Sequence, residues 1–133
     1  NRPPEGYSTK GTLGLIAASD REVHLPRLRR LVADENPTFE PFDEEELVAG
    51  GDWREMPVTE VLEIVREARA EVVSFLRELP AEEWNRAGRT PEGERQTVYG
   101  LAYEITQHDL VLLRSLGERM HEAKLTEGED LPK

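Results

Sequence analysis

The sequence contains no cysteine among its 133 residues. This absence excludes disulfide bonds, cysteine-ligated zinc, iron–sulfur clusters and a cysteine nucleophile, so any thiol chemistry would need a thiol on a cosubstrate. The sequence also lacks an apolar run near the ~20 residues that cross a bilayer, and it has no signal-peptide pattern. We therefore expect a cytoplasmic protein that does not enter membranes.

Positive charge is scarce in this sequence. Lysine and arginine together number 17 against 28 aspartates and glutamates, which gives a formal net charge of −11 at pH 7. A field of this sign repels nucleic-acid backbones and anionic lipid surfaces. Neither nucleic acid nor membrane is therefore an expected partner, despite the short basic run at Arg27, Arg29 and Arg30.

Several motifs that would indicate a reaction or ligand class are also missing. No serine lies in a Gly-x-Ser-x-Gly elbow, and no glycine-rich phosphate loop occurs. The acidic run Asp43–Glu46 lacks the spacing and the glycine of a calcium loop. The sequence thus gives no support for a serine nucleophile, a phosphate-binding loop or a calcium site.

The apolar residues that are present suit one domain with one core. Hydrophobic residues make up 37% of the chain and charged residues 34%, which is an ordinary globular balance. We predict a single domain over residues 1–133, in which residues 125–133 form a polar tail. The lead-in Asn1–Gly6 is rich in proline and glycine and is not expected to be helical.

The first helix is predicted to begin at a cap formed by Ser8 or Thr9 and to run to about Ala33. Its interior contains Pro26, which has no backbone N–H to donate. We therefore expect this helix to bend near residues 22–26.

Residues 35–56 lose the helical period and are predicted to form a long crossover with one helical turn over Glu44–Ala49. Pro57 suits the first turn of the next helix, which should run to Pro80. A short turn over Ala81–Asn85 is expected to follow.

The last helix is predicted to begin at a Thr97 cap and to end at about Lys124. Its apolar stripe consists of Val98, Leu101, Ile105, Leu112 and Leu116. His108 lies within that stripe. No internal repeat and no period-two strand pattern occurs, so the predicted fold class is all-α.

Short motifs in a fixed order extend along nearly the whole chain. They are Tyr7-Ser8, Leu25-Pro26-Arg27-Leu28-Arg29-Arg30, Asn36-Pro37-Thr38-Phe39, Phe42-Asp43, Leu79-Pro80-Ala81-Glu82-Glu83-Trp84, Thr97-Val98 and His108-Asp109. Taken together, they resemble the DinB/YfiT-like superfamily of four-helix bundles. The resemblance implies an up-down-down-up helical bundle in which residues 35–56 are the long crossover.

The resemblance also implies one more helix before Tyr7, so the first helix of the bundle is expected to be missing from this sequence. The remaining helices would leave an apolar groove exposed, and proteins normally cover such a surface by association. We therefore expect a homodimer, or else a fragment that is prone to disorder.

Metal-binding members of the family imply a histidine triad. One histidine comes from the first half of the helix that opens this chain, and a His-x-x-x-His pair comes from the last helix. Residues four apart lie on one helix face, so both imidazoles of such a pair can reach one ion. Here the first position falls on Leu15 or Ile16, and Leu112 follows His108 by four. The implied triad cannot be assembled from these residues.

Two interpretations of His108 remain open. It is either a core histidine in a neutral tautomer, with Glu104 one turn earlier as its acceptor, or a ligand in a rebuilt metal site. The rebuilt site would join Asp20 and His24, four apart on the first helix, to Glu104 and His108 around Zn²⁺, Ni²⁺ or Fe²⁺. The alternative for Asp20 and His24 is a solvated helix edge.

The leading functional hypothesis is a metal-free, non-catalytic protein of the superfamily that needs no cofactor and binds a small molecule or a protein partner. The alternative that the resemblance implies is a divalent-metal enzyme of the thiol-dependent S-transferase or isomerase type, in which the ion lowers the pKa of a cosubstrate thiol. The sequence leaves open whether the protein is an enzyme, and it does not identify the ligand.

Overall fold

The computed structural model describes residues 8–128, with side chains described up to residue 114 and at residues 117 and 118. Its elements in chain order are α1 (Thr9–Ser19), a π-helical turn (Asp20–His24), α2 (Leu25–Ala33), α3 (Glu44–Ala49), a 3-10 turn (Trp53–Glu55), α4 (Val58–Glu78), a second 3-10 turn (Ala81–Asn85), β1 (Ala87–Arg89), β2 (Arg95–Thr97) and α5 (Val98–Gly128). The all-α prediction is confirmed, with one short β-hairpin added.

Local signals place the starts of the first and last long helices where the sequence predicts them. The Ser8 hydroxyl accepts a hydrogen bond from the Gly11 N–H at 3.0 Å, and the Thr97 hydroxyl accepts one from the Gly100 N–H at 2.9 Å. Each cap satisfies a backbone donor that has no partner within its helix. Helix α5 extends beyond the predicted end, to Gly128. The rest of the predicted polar tail and the lead-in Asn1–Gly6 lie outside the described residues.

The predicted bend in the first long helix takes the form of a π turn that joins α1 to α2. The Leu25 N–H donates to the Asp20 carbonyl, five residues back, so this turn contains one extra residue. Pro26 follows at the start of α2 and cannot donate to the carbonyl four residues before it. Such insertions often occur at functional sites. Asp20 and His24 lie in this turn and are both buried, so the solvated edge considered for them is wrong.

The core has two main parts. One apolar cluster packs α2 against α4 and α5, through Leu25, Leu28, Leu31, Phe39, Val72, Val98, Leu101 and Ile105. A second packs α1 against α4 and the crossover, through Leu13, Ala17, Ala18, Trp53, Val61 and Ala68. The π turn lies between these two clusters along the first long helix. Apolar packing on both sides therefore holds the polar side chains of this turn in place.

The short hairpin was missed because three-residue strands are too short to show a period of two. β1 and β2 pair antiparallel, with Ala87 opposite Thr97, and the Phe39 N–H donates to the Arg89 carbonyl at 2.9 Å. The hairpin thereby fixes the start of the crossover beside the first turn of α5. None of the described helices combines the length and the apolar character needed to span a membrane.

Gly14 on α1 lies against the buried indole ring of Trp53. A Cβ atom at residue 14 would overlap that ring, whereas a Cβ at Gly117 on α5 would meet nothing within 4 Å. We predict that Gly14→Ala lowers the free energy of unfolding by about 1–3 kcal/mol, the usual effect of overpacking. The control Gly117→Ala should raise it by up to about 1 kcal/mol, because alanine favours the helix. Urea denaturation measures both, and equal effects would contradict the close contact.

Apolar side chains are exposed along α4 and α5. They are Val58, Leu62 and Val73 on α4, and Tyr99, Tyr103, Leu110, Val111 and Leu113 on α5. A homodimer would cover such a surface, and self-association stays a prediction. Light scattering at micromolar concentration should give twice the 15.1 kDa of one chain. A well-folded monomer under these conditions would contradict it.

Candidate functional site

Two of the three ligand positions that the resemblance implies are apolar and closely packed. Leu15, Ile16 and Leu112 contact one another in one buried cluster, with exposed fractions of 0%, 5% and 3%. Alkyl side chains offer no lone pair to a metal ion. The implied triad, of which only His108 remains, therefore does not fit the metal, as the sequence predicted.

One turn further along the first long helix, Asp20 is the centre of a buried ion network. Its Oδ1 lies 2.9 Å from Nδ1 of His24. Arg69 on α4 donates from Nε to Oδ2 at 2.7 Å and from Nη2 to Oδ1 at 3.3 Å. The guanidinium also pairs with Asp109 on α5. The network thus ties the π turn to both other long helices.

This network keeps Asp20 charged and fixes the tautomer of His24. Burial alone would raise the pKa of Asp20, but the hydrogen bonds from His24 and Arg69 outweigh it and lower the pKa below the ordinary 3.8. Burial likewise opposes the charge of Arg69, whereas Asp109 and Asp20 raise its pKa. An ionised carboxylate only accepts hydrogen bonds, so Nδ1 of His24 carries a proton, and in that tautomer Nε2 is the nitrogen with the lone pair.

His24 forms one wall of a pocket between α2, α3 and α5, called here the His24 pocket. Its volume is about 170 Å³, and it is lined by His24, Arg27, Phe42, Glu44, Leu101, Glu104, Ile105 and His108. The rings of His24 and His108 meet edge to face, with centroids 6.4 Å apart. Two histidines from distant parts of the sequence therefore share one small cavity.

His108 does not pair with the acceptor considered for it. Its Nε2 lies 3.0 Å from Oε2 of Glu44, while Oε2 of Glu104 accepts from the Gln96 amide, also at 3.0 Å. The pairing of His108 with Glu104 is therefore wrong. Asp43 caps α3 by accepting a hydrogen bond from the Glu45 N–H at 2.9 Å, so this short helix begins at Glu44. The Glu44 carboxylate thereby lies beside His108 on α5.

Arg27 and Phe42 form the edge of the His24 pocket. The guanidinium carbon of Arg27 lies 5.3 Å from the centroid of Phe42 and 5.1 Å from that of Phe39, and Nη2 donates to the Glu40 carbonyl. Burial lowers the pKa of Arg27, and the Glu104 carboxylate works against that shift. Arg27 and Phe42 also line a neighbouring hollow that contains Glu104 and Gln96, so the His24 pocket continues outward past them.

The structure places the four predicted site residues near one another, in different roles. His24, Glu104 and His108 line the His24 pocket, whereas Asp20 lies behind His24 with both oxygens engaged. Among the side chains that the structure describes, no group of three or more histidines, aspartates or glutamates is arranged to hold a metal ion. A metal at these four residues stays a prediction.

Sequence reasoning missed Glu44, Arg27 and Arg69. A usable signal existed for Arg69, because it falls four residues after Val65 and three before Val72, where the apolar seam of α4 would have another apolar residue. A charge at a seam position indicates a buried partner. The sequence contains no comparable local signal for Glu44 or Arg27.

Comparison with known proteins agrees with this architecture. The model of the DinB superfamily matches residues 3–111. The solved structure of YfiT from Bacillus subtilis, described as a probable metal-dependent hydrolase with an unusual four-helix bundle topology, matches with a TM-score of 0.69 and 20% sequence identity, over 87% of this chain and 68% of that one. No curated protein matches the sequence. On the family match, which covers most of its length, the chain belongs to the DinB superfamily.

Proposed function

We propose that this DinB-superfamily protein binds a small polar ligand in the His24 pocket without a metal ion. The observation that carries the proposal is the state of His24. Its side chain is 10% exposed and anchored through Nδ1 to Asp20, and Nε2 has no hydrogen-bond partner among the described residues. Nε2 is not a buried orphan atom, so water can reach it, and a polar ligand in the pocket would replace that water as its hydrogen-bond partner.

The walls and size of the pocket support a ligand of modest dimensions. Leu101 and Ile105 supply apolar surface, while the two glutamates and two histidines supply polar groups. Ligand sites usually combine mostly apolar walls with a few convergent polar groups, in volumes of roughly 300–1,000 Å³ for drug-sized molecules. At about 170 Å³ this pocket suits a smaller molecule.

Nuclear magnetic resonance with a chemically mixed set of small fragments tests the proposal. The set contains anions, neutral polar molecules and primary amines, added to metal-free protein. At least one fragment should shift the imidazole resonances of both His24 and His108, and leave the indole N–H of Trp53, which lies in the other core cluster, unchanged. If no fragment shifts the imidazoles, or if shifts occur only after Zn²⁺ is added, the proposal fails.

A divalent-metal enzyme, of the thiol-dependent S-transferase or isomerase type, is the second candidate. Two observations favour it: YfiT is described as a probable metal-dependent hydrolase, and the rings of His24 and His108 lie 6.4 Å apart on one pocket. Against it, Asp20 has both oxygens engaged by His24 and Arg69.

Metal analysis of protein purified without a histidine tag separates the two candidates. We expect no stoichiometric metal, before or after incubation with Zn²⁺, and no change in metal content on His108→Ala. A near-stoichiometric ion that is lost on His108→Ala would favour the enzyme.

A further inference from the structure

We infer that the His24 pocket recognises a primary ammonium group. This inference rests on the proposed function, because it names the ligand class for the same pocket. Three lining residues with an acceptor atom that receives no hydrogen bond from the described residues carry it: His24, Glu44 and Glu104. Each glutamate uses Oε2 for a partner, His108 or Gln96, and Oε1 receives no hydrogen bond from the described residues.

A primary ammonium group matches this set in number and in charge. It has three N–H donors and no acceptor, so its donors equal in number the acceptors that His24, Glu44 and Glu104 offer. Two carboxylates and one guanidinium give the lining a net charge of −1 when both imidazoles are neutral. A single ammonium neutralises that charge.

The rest of the pocket suits the carbon chain of such a ligand. Leu101 and Ile105 provide an apolar wall for a short alkyl chain. Phe42 is 44% exposed at the pocket edge, where its ring contacts the Arg27 guanidinium. Arg27 also contacts Phe39 and the Glu40 carbonyl, and these contacts hold its charge at the pocket edge.

Anions and metal ions fit this lining less well. An anion would meet the carboxylates of Glu44 and Glu104. A metal ion needs its ligands at about 2.0–2.2 Å from one point, and no group of three acidic or histidine side chains in the described part of the chain is arranged in that way. Hydrogen bonds to an ammonium nitrogen form at about 2.7–3.2 Å, which a wider arrangement can satisfy.

The test compares ligands that share a four-carbon chain and differ in their head groups. Each ligand is titrated into the protein, and binding is followed through the imidazole resonances of His24 and His108. n-Butylamine and γ-aminobutyrate should both bind, and butyrate should not. Tighter binding of γ-aminobutyrate would show that Arg27 adds a carboxylate contact, whereas equal binding would assign recognition to the ammonium alone. N,N,N-trimethylbutylammonium has the same charge without N–H donors and should bind at least about tenfold more weakly. Moderate salt suppresses unspecific attraction to this acidic protein.

Two substitutions locate the binding group. Glu44→Gln and Glu104→Gln should each weaken n-butylamine binding by about tenfold or more, since each removes a charged acceptor. Glu71→Gln, an exposed change on α4, is the matched control and should leave binding unchanged. Thermal melting and the Trp53 indole resonance report whether each variant is folded.

The outcomes separate the two proposals. If amines fail to bind but a neutral or anionic fragment shifts His24, the ammonium inference is overturned and the proposed function stands. If the trimethyl compound binds as well as the amine, or if neither glutamate variant weakens binding, hydrogen-bond recognition is overturned. If no fragment of any class shifts the imidazoles, both proposals fail.

Discussion

Replacing Arg69 with methionine should lower the free energy of unfolding by about 3–5 kcal/mol, the usual effect of removing one partner from a buried ion pair. Asp20 is fully buried, and without the guanidinium only His24 would remain to stabilise its charge. Methionine suits the apolar seam of α4 and fills part of the same volume, so the change removes mainly charge and hydrogen bonds. Urea denaturation at neutral pH measures the loss.

Arg66 is the matched control for this prediction. It lies three residues earlier on α4 and pairs with Glu63 on the exposed surface. Exposed ion pairs contribute little, so Arg66→Met should leave the urea midpoint nearly unchanged. Equal losses for the two variants would mean that burial of the Asp20 pair is unimportant. Combining Arg69→Met with Asp20→Asn should cost less than the sum of the single changes, because both break the same contact.

The starts of the first and last long helices could be predicted because their determinants are local. The hydroxyls of Ser8 and Thr97 bond to backbone groups three residues away, and proline restricts backbone geometry at its own position and just before it. The single turn Glu44–Ala49 in the crossover has the predicted bounds. The hairpin could not be predicted in the same way, because its pairing depends on contacts with the crossover that no local pattern encodes.

The site was predictable only in part, for the same reason. Spacing of four placed Glu104 beside His108 on one helix, but the acceptor that contacts His108 is Glu44, 64 positions earlier. Which side chain of a crossover lies over a helix is decided by tertiary packing. The apolar replacement of the metal position was predictable, because the resemblance identified the positions before the structure placed Leu15, Ile16 and Leu112 in contact.

The π turn supplies the inner wall of the pocket. Asp20 and His24, four residues apart in this turn, contact Arg69 on α4 and His108 on α5. Two of the three implied ligand positions, Leu15 or Ile16 and Leu112, are closed by alkyl packing. The third, His108, lines the pocket together with His24 and with Glu44 and Phe42 from the crossover.

Replacing Asp20 with asparagine should lower stability by about 3 kcal/mol at pH 7, and this loss should shrink in acid. The folded-state pKa of Asp20 lies below its ordinary 3.8, so the carboxylate stabilises the fold. That contribution is complete well above the unfolded pKa of about 3.9 and is lost as pH falls through the lower folded value. Other carboxylates titrate in both proteins, so the difference between wild type and variant isolates Asp20.

Urea midpoints of wild type and Asp20→Asn, measured from pH 7 to pH 3, test this sign. The two midpoints should be far apart at pH 7 and approach each other below about pH 4. A gap that stays constant, or widens in acid, would mean that Asp20 is not held as an ion.

The same pair of proteins tests the link between Asp20 and the His24 pocket, through the nitrogen chemical shifts of His24. Wild type should carry the neutral-ring proton on Nδ1, and the variant should populate both tautomers because asparagine can donate as well as accept. Loss of the fixed tautomer without loss of folding would identify Asp20 as the residue that keeps Nε2 of His24 available to a ligand.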